Sequence, residues 1–398
     1  MTGIASDIYY DPYDFEIDAD PYPIWKRMRD EMPLYRNDRF DFYAVSRFAD
    51  VESCSVNWQT FISGRGSVLE MIRSGIEIPR GMILFEDPPI HDLHRKLLGR
   101  VFTPRRVAEL EGRARQFCAN ALDPLVGRGG FDFVRDLGAD MPMRLISELL
   151  GIPEEDQIAV RDRIDEGMRI EEGVIPEGAD SLVTDTEHFA EYVTFRREHP
   201  SDDLMTDLIE VTFVDEHGVD RHLDEDEILN YAGLLAAAGN ETTTRLIGWT
   251  GYLLSKHPDQ RRVLLDDRGL VPGAIEEILR YEAPSPVQAR YVTRDVELHG
   301  TTVPEGAVLL LLTAAANRDE RKFDDPDRFD VRRTIDHHLS FGYGLHFCMG
   351  AALARLEGRI ALEEVLARFP EWEVDDEHAE RVHTSTVRGW HKLPVRTR

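Results

Sequence analysis

The sequence predicts a mainly α-helical fold with a small β region, carried as one domain over residues 1–398. Helical patterning dominates from Pro89 to about Phe369, and one segment, 224–256, holds it without a break. Strand-like alternation is confined to short stretches at 41–45, 287–313 and 371–396. At ~150 residues per domain, the length permits two or three domains. No internal repeat, low-complexity tract or convincing linker divides the chain, so a single large domain is expected.

In order, Asp20-Pro21-Tyr22-Pro23 reads as a helix start, with a short helix over 24–31. Asp41-Phe42-Tyr43-Ala44-Val45 reads as a strand. Residues 59–82 carry several glycines and no sustained period, which predicts a long loop with a short helix inside. Loops of that length are often lids or binding segments. Helices are expected near 89–101, 104–127, 139–150, 154–171, 179–199, 224–256, 272–283 and 349–368. Gly151-Ile152-Pro153 and His257-Pro258 are breaks between them. The 224–256 helix would run ~48 Å at 1.5 Å per residue. Its opening Asp224-Glu225-Asp226-Glu227 places carboxylates at the positive end of the helix dipole. A Pro/Asp/Arg-rich, poorly periodic stretch covers 317–340.

The chain has 47 Lys+Arg against 75 Asp+Glu, a formal net charge of −28, and is 42% apolar. That apolar fraction suffices for a sizeable core. The acidic excess argues against nucleic acid as a partner, because phosphate binding needs clustered Lys and Arg. No run approaches the ~20 apolar residues of a membrane span, and Met1-Thr2-Gly3-Ile4-Ala5-Ser6-Asp7 does not read as a signal peptide. Three cysteines, Cys54, Cys118 and Cys348, are too few for a disulfide framework and fit a reducing compartment. A monomeric cytoplasmic protein without a membrane anchor is expected.

Phe341-Gly342-Tyr343-Gly344-Leu345-His346-Phe347-Cys348-Met349-Gly350 is the most informative stretch. Its glycines permit a tight turn and close approach of backbone to a flat ligand. Cys348 opens a helix, where unpaired N–H groups favour a thiolate and its use as a metal ligand. Four readings of the cysteine compete: a buried structural thiol, a zinc ligand, a Cys-His nucleophile, and an axial thiolate to haem iron. Zinc needs about four ligands, and Cys54 and Cys118 are distant in sequence. His346, two residues from the thiol, points to the opposite side of an extended loop, which disfavours a hydrolase.

The ten-residue pattern closely resembles the haem-binding loop of the cytochrome P450 family. In that motif a Phe stands seven residues before the ligating Cys, followed by Gly, with a second Gly two further on and another two past the Cys. Phe341, Gly342, Gly344, Cys348 and Gly350 fall in place. The resemblance implies the P450 fold, a triangular prism, binding haem b (iron protoporphyrin IX) with Cys348 as the metal ligand. A thiolate there donates electron density that favours O–O cleavage.

Other segments resemble the family in the same order along the chain. Glu277-Ile278-Leu279-Arg280 supplies its Glu-x-x-Arg, about seventy residues before the cysteine. The same spacing recurs at Glu70/Arg73, Glu77/Arg80 and Glu166/Arg169, so only position gives it weight. The resemblance also implies an arginine in the following meander, found in Asp327-Arg328-Phe329. Glu277, Arg280 and Arg328 are thus expected to form a buried network supporting the haem loop.

On the long helix, Ala238, Gly239, Glu241 and Thr242 match the family's Ala/Gly-Gly-x-Asp/Glu-Thr segment. Read without the likeness, Gly239 to Thr244 would be a surface turn whose Thr hydroxyls bond back to carbonyls. The likeness implies an oxygen groove, with Thr242 and Glu241 serving oxygen activation and proton delivery. His91 and Arg95, four apart, with Arg290 and His346, match the family's anchors for the two haem propionates. His94 beside them reads as packing or surface.

The resemblance to soluble bacterial members implies electrons from a ferredoxin and an NAD(P)H-dependent reductase. Arg95, Lys96, Arg100, Arg105, Arg106, Arg113 and Arg115, against only Glu109 and Glu111 within 94–115, suit an acidic redox partner or a solvated face. By likeness the substrate pocket draws on the 60–82 loop, the 165–182 region, Leu234 to Ala238, Pro286-Val287-Gln288 and Thr386-Val387. These are mainly apolar or small, so a hydrophobic substrate such as a fatty acid, terpenoid, steroid or polyketide is expected. Glu70, Arg73, Glu77 and Arg80 read as exposed lid charges. The implied activity is dioxygen-dependent hydroxylation or epoxidation. A peroxide-driven peroxygenase and a non-catalytic haem sensor are the alternatives; the Glu241-Thr242 pair argues against the first.

Overall fold

The computed structural model describes residues 8–99, 102–157, 159–160, 189–384 and 386–398. Its axis is the helix Glu225–Lys256. Asp224 caps it: the Glu227 amide donates to the Asp224 carboxylate at 2.8 Å, and the Asp224 amide donates to the Glu227 carboxylate at 2.9 Å. Glu225, Asp226 and Glu227 fill its first turn. Residues 243–251 are all buried, so this stretch is enclosed on every side and not amphipathic.

Around it pack the helices Met141–Leu150, Val271–Tyr281 and Ala351–Arg368 and the strand Arg388–Lys392. A Cβ at Gly358 would lie 2.9 Å from Leu246 Cδ2, so glycine is what lets the helix after the cysteine come this close. Leu246, Trp249, Ile275, Ile360 and Trp372 belong to one buried cluster there. Burying one such aliphatic side chain contributes about 1.5–3 kcal/mol.

The β region contains a five-stranded sheet ordered Leu34–Asn37, Phe42–Val45, Val308–Leu311, Gln288–Val292, Phe61–Ile62. Neighbours are antiparallel except Val308–Leu311, which runs parallel to Phe42–Val45. All four residues of Val308–Leu311 are buried, which accounts for its unbroken apolar run. Its register sets Leu309 opposite Arg290.

Several elements depart from the sequence expectation. The helix expected over 104–127 is two, Pro104–Glu109 and Glu111–Leu122, because the Leu110 amide tightens onto the Val107 carbonyl at 3.1 Å. The 59–82 segment contains the strand Phe61–Ile62 and the helix Leu69–Ser74. A π-helix, Phe133–Gly138, is started by the Asp132 carboxylate accepting from two amides. The hairpin Thr212–Val214 with Asp220–His222, and the helix Pro258–Asp266, carried too little periodicity to be expected. The helices expected at 154–171 and 179–199 lie largely outside the described residues; Ala190–Glu198 is helical. Among the described residues, no helix is long and apolar enough to cross a membrane.

Candidate active site

The cysteine loop is built by local backbone bonds. The Cys348 amide donates to the Phe341 carbonyl at 2.8 Å, and the Phe347 amide to the Gly344 carbonyl at 3.1 Å. Gly342 and Gly344 hold φ of 68° and 73°, a region costly for other residues. A Cβ at Gly344 would also stand 3.0 Å from the Ser55 carbonyl. Phe341 is buried behind the turn, under the Arg355 guanidinium at 4.5 Å.

Cys348 is exposed, yet its thiol is crowded by the atoms of the loop around it. That crowding pushes its thiol up, while the Gly350 amide, Arg95 and Arg355 pull it back down. Cys54 and Cys118 are fully buried, and burial pushes both thiols up to about 12. Among the described residues, Cys348 joins no group of three metal-ligating side chains. That leaves the zinc reading without ligands.

Beside the loop lie four donor side chains. The His91 and His346 rings are 4.6 Å apart, and the Nε2 of each is buried without a hydrogen-bond partner. Burial, followed by the positive charges of Arg290, His91 and Arg95, lowers His346 to about 3. His91 is lowered too, chiefly by burial. Arg290 is buried and lowered to about 10 by desolvation; it donates to the Ala289 carbonyl at 2.8 Å and the Gln288 Oε1 at 3.2 Å. Arg95 Nη2 donates to the Phe347 carbonyl at 2.7 Å. Apart from Asp92, 3.3 Å from His91 Nδ1, no carboxylate pairs with the four among the described residues. Two orphaned imidazole nitrogens and two guanidiniums that no carboxylate contacts, with Asp87 acting on Arg290 only at longer range, suit an external ligand bearing carboxylates, as haem does in its propionates. The residues fit haem.

Within the long helix, Ala238 is exposed and Thr242 half-buried, one turn apart on the open face, with Gly239 half-buried beside them. Thr242 Oγ1 donates to the Ala238 carbonyl at 2.9 Å. Glu241 turns away into the core, where Arg245 grips it through Nε at 2.9 Å and Nη2 at 2.6 Å. Arg245 Nη1 also donates to the Trp390 carbonyl. The sequence reading missed Arg245, though its i+4 spacing from Glu241 was a usable signal. It also missed Glu357 on the helix after the cysteine, a carboxyl that burial pushes up to about 8 while the Thr243 hydroxyl pulls it down.

Behind the loop, Glu277 and Arg280 are wholly buried and joined at 2.7 and 2.9 Å. The third partner is not Arg328, which is 63% exposed and lies 3.4 Å from Asp330. Arg333 takes that place, 3.2 Å from Glu277, and reaches the Arg328 carbonyl at 2.9 Å. The irregular backbone turns Arg328 outward and offers only its carbonyl. Asn317 and Ser340 then tie this network to the start of the cysteine loop, at 2.8 Å.

Most of the expected basic patch is internally paired: Arg105 with Glu109, Arg106 with Asp207, Arg113 with Glu148, and Arg115 with Glu111, Glu363 and Glu364. Lys96 is exposed, and Arg100 lies outside the described residues. His94 is buried, with Nδ1 2.8 Å from the Glu86 carboxylate. Glu70 is no exposed lid charge; it is 5% exposed, because the helix Leu69–Ser74 turns Leu69 to Ile72 inward. Val287, Thr386 and Val387 share one cavity, whereas Leu234 packs in a buried cluster with Met71 and Tyr231. The 165–182 region and Glu166/Arg169 lie outside the described residues.

The cytochrome P450 family model matches residues 182–394. The chain is 39% identical over 394 residues to the protein designated cytochrome P450 123 of Mycobacterium tuberculosis, covering 98% of this chain and 97% of that one. It is 35% identical over 389 residues to cytochrome P450 monooxygenase PikC of Streptomyces venezuelae, covering 96% and 92%. A mutant of P450 EryK solved in complex with erythromycin B superposes with a TM-score of 0.86 at 33% identity, covering 96% of each chain. With the family model matching more than half of its length, and a relative 39% identical across nearly all of it, this chain belongs to the cytochrome P450 family of haem-thiolate monooxygenases.

Proposed function

We propose that the chain inserts one atom of dioxygen into an apolar organic molecule, with electrons from a ferredoxin and its NAD(P)H-dependent reductase. One observation carries this reading: a single open thiol lies beside two buried imidazole nitrogens without partners and two guanidiniums that no carboxylate contacts among the described residues. Cys348 Sγ would hold the iron, and His91, Arg95, Arg290 and His346 the two propionates. Phe341, Gly342 and Gly350 shape the thiol side, and Ala238 and Gly239 the facing wall. Haem, when bound, supplies the iron at which dioxygen takes up two electrons and two protons.

The chain's own part is to admit substrate, exclude water and deliver protons. Ala238 is small and exposed, so the helix leaves room at its open face, while Gly239 lets the helix lie against Ile146, which a Cβ there would meet at 3.3 Å. Thr242 Oγ1 donates back to its own helix, and a turn about χ1 redirects that hydrogen into the cleft. Glu241 is the adjacent carboxylate; on leaving Arg245 it takes up a proton from solvent and releases it into the cleft beside Thr242. Positioned acid–base groups of this kind contribute about 10²–10⁴-fold. The apolar substrate class is supported by the valines at 287 and 387 and by the erythromycin B bound to the EryK mutant. The side open to a ferredoxin presents Lys96 with the exposed rings of Tyr343 and Phe347.

The absorption spectrum of the reduced holoprotein under carbon monoxide tests this directly. The band of thiolate-ligated haem is expected, with its loss in Cys348→Ser, and a ferredoxin–reductase pair should yield an oxygenated product. Colourless protein after expression with ample porphyrin, or an unchanged spectrum in Cys348→Ser, would overturn the reading.

A further inference from the structure

The cavity shared by Val287, Thr386 and Val387 is walled by the N-terminal residues 10–25, the entry to the helix Leu69–Ser74, and the chain around 286–289 and 384–388, and part of it opens to solvent. Its charged groups differ in one respect. Asp11 accepts from the Tyr13 amide at 2.9 Å and the Tyr9 hydroxyl at 3.0 Å, and lies 3.4 Å from Arg39. Asp18 lies 3.3 Å from His383 and 3.6 Å from Arg388, which also pairs with Glu282. Glu70 has no such partner. The Tyr13 hydroxyl donates to its Oε2 at 3.1 Å, its Oε1 is buried without a partner, and no cationic side chain among the described residues pairs with it. Arg73, one turn on, is exposed.

A carboxylate so buried and lacking a cation bears a desolvation cost that a bound cation relieves. The rings of Tyr10, Tyr13 and Trp25 line the same space. Aromatic faces beside a carboxylate suit an alkylated ammonium, which needs charge and a polarisable wall more than hydrogen bonds. Val287, in the wall, stands three residues before Arg290 of the four-donor cradle, about 10 Å along an extended chain. An ammonium beside Glu70 would therefore leave an apolar body within reach of the reaction centre.

We propose that this cavity recognises the protonated or alkylated amine of an otherwise apolar substrate, with Glu70 as counter-charge. The proposal rests on the oxygenase reading and narrows its substrate class. Three probes of one chain length, titrated into the holoenzyme and followed by the haem spectrum, test it: decyltrimethylammonium, 1-decanol and decanoate. The quaternary ammonium has no lone pair to offer iron. It should bind the unmodified enzyme about tenfold more tightly than decanol, with decanoate weakest. Glu70→Gln should abolish that preference and Glu70→Asp should keep it. Equal binding of cation and alcohol, or a preference surviving in Glu70→Gln, overturns the proposal. The unmodified enzyme alone decides it if Glu70→Gln does not fold. Equal binding with the thiolate-haem band present refutes the amine site alone, whereas absence of that band refutes the oxygenase reading.

Discussion

Arg245 holds Glu241 with two nitrogens, one turn along the same helix, and both side chains are 3% exposed. The carboxylate beside Thr242 is thus fixed within the core, and it reaches the cleft only by leaving its guanidinium. Breaking a buried pair by removing one partner costs about 3–5 kcal/mol, because the other charge remains uncompensated. Arg245→Met should lose that much stability in denaturant unfolding. Glu241→Gln combined with Arg245→Met should recover a large part of it, since no lone charge is left. Equal losses in the single and double variants would show that the pair is not the source.

Glu357 links stability to pH. Burial raises its carboxyl from 4.5 to about 8, so between those values the folded chain holds a proton that the unfolded chain releases. Its contribution is complete below pH 4.5 and is lost as pH rises through about 8. Unfolding by urea at pH 5, 6.5 and 8 should show stability falling across the series. Glu357→Gln should flatten that fall, having no proton to lose.

The Glu277 network separates what a motif can tell from what only a fold can. Arg333→Ala should destabilise the protein by about 3 kcal/mol, as expected for removing one partner of a buried charge. Arg328→Ala should change it by less than about 0.5 kcal/mol, as for an exposed pair. Thermal unfolding of the two variants, compared side by side, tests the exchange of roles.

The same contrast explains how legible the molecule was. Glu277 and Arg280 sit on a regular helix, where a spacing of three fixes a shared face, and their place about seventy residues before the cysteine singles them out among the four pairs with that spacing. Arg328 and Arg333 lie in a stretch without period, where neither burial nor direction follows from spacing. The long helix was legible because its acidic cap and its break at His257-Pro258 are local signals. The π-helix Phe133–Gly138 was not, because its conformation depends on contacts with the long helix and the strand at 388–392. Glu70 was misread for a related reason. Leu69–Ser74 is six residues long, too short for periodicity to say which side faces inward.

Arg290 offers the sharpest test of the propionate cradle. It is buried on a strand, its fixed partners are a carbonyl and an amide oxygen, and no carboxylate within the chain pairs with it among the described residues. A buried guanidinium with no carboxylate in contact, and only Asp87 at longer range, disfavours the chain when nothing anionic is bound and favours whatever anion fills the gap. Arg290→Leu should therefore weaken haem retention by about 10- to 100-fold, the range for removing an outer partner of a metal site. The same change should leave the chain without haem as stable as before, or more so. Transfer of haem to an excess of an apo acceptor protein measures the first quantity, and urea unfolding of the haem-free chain the second. Loss of stability in the haem-free chain, with retention unchanged, would place Arg290 in the scaffold and leave the cradle to His91, Arg95 and His346.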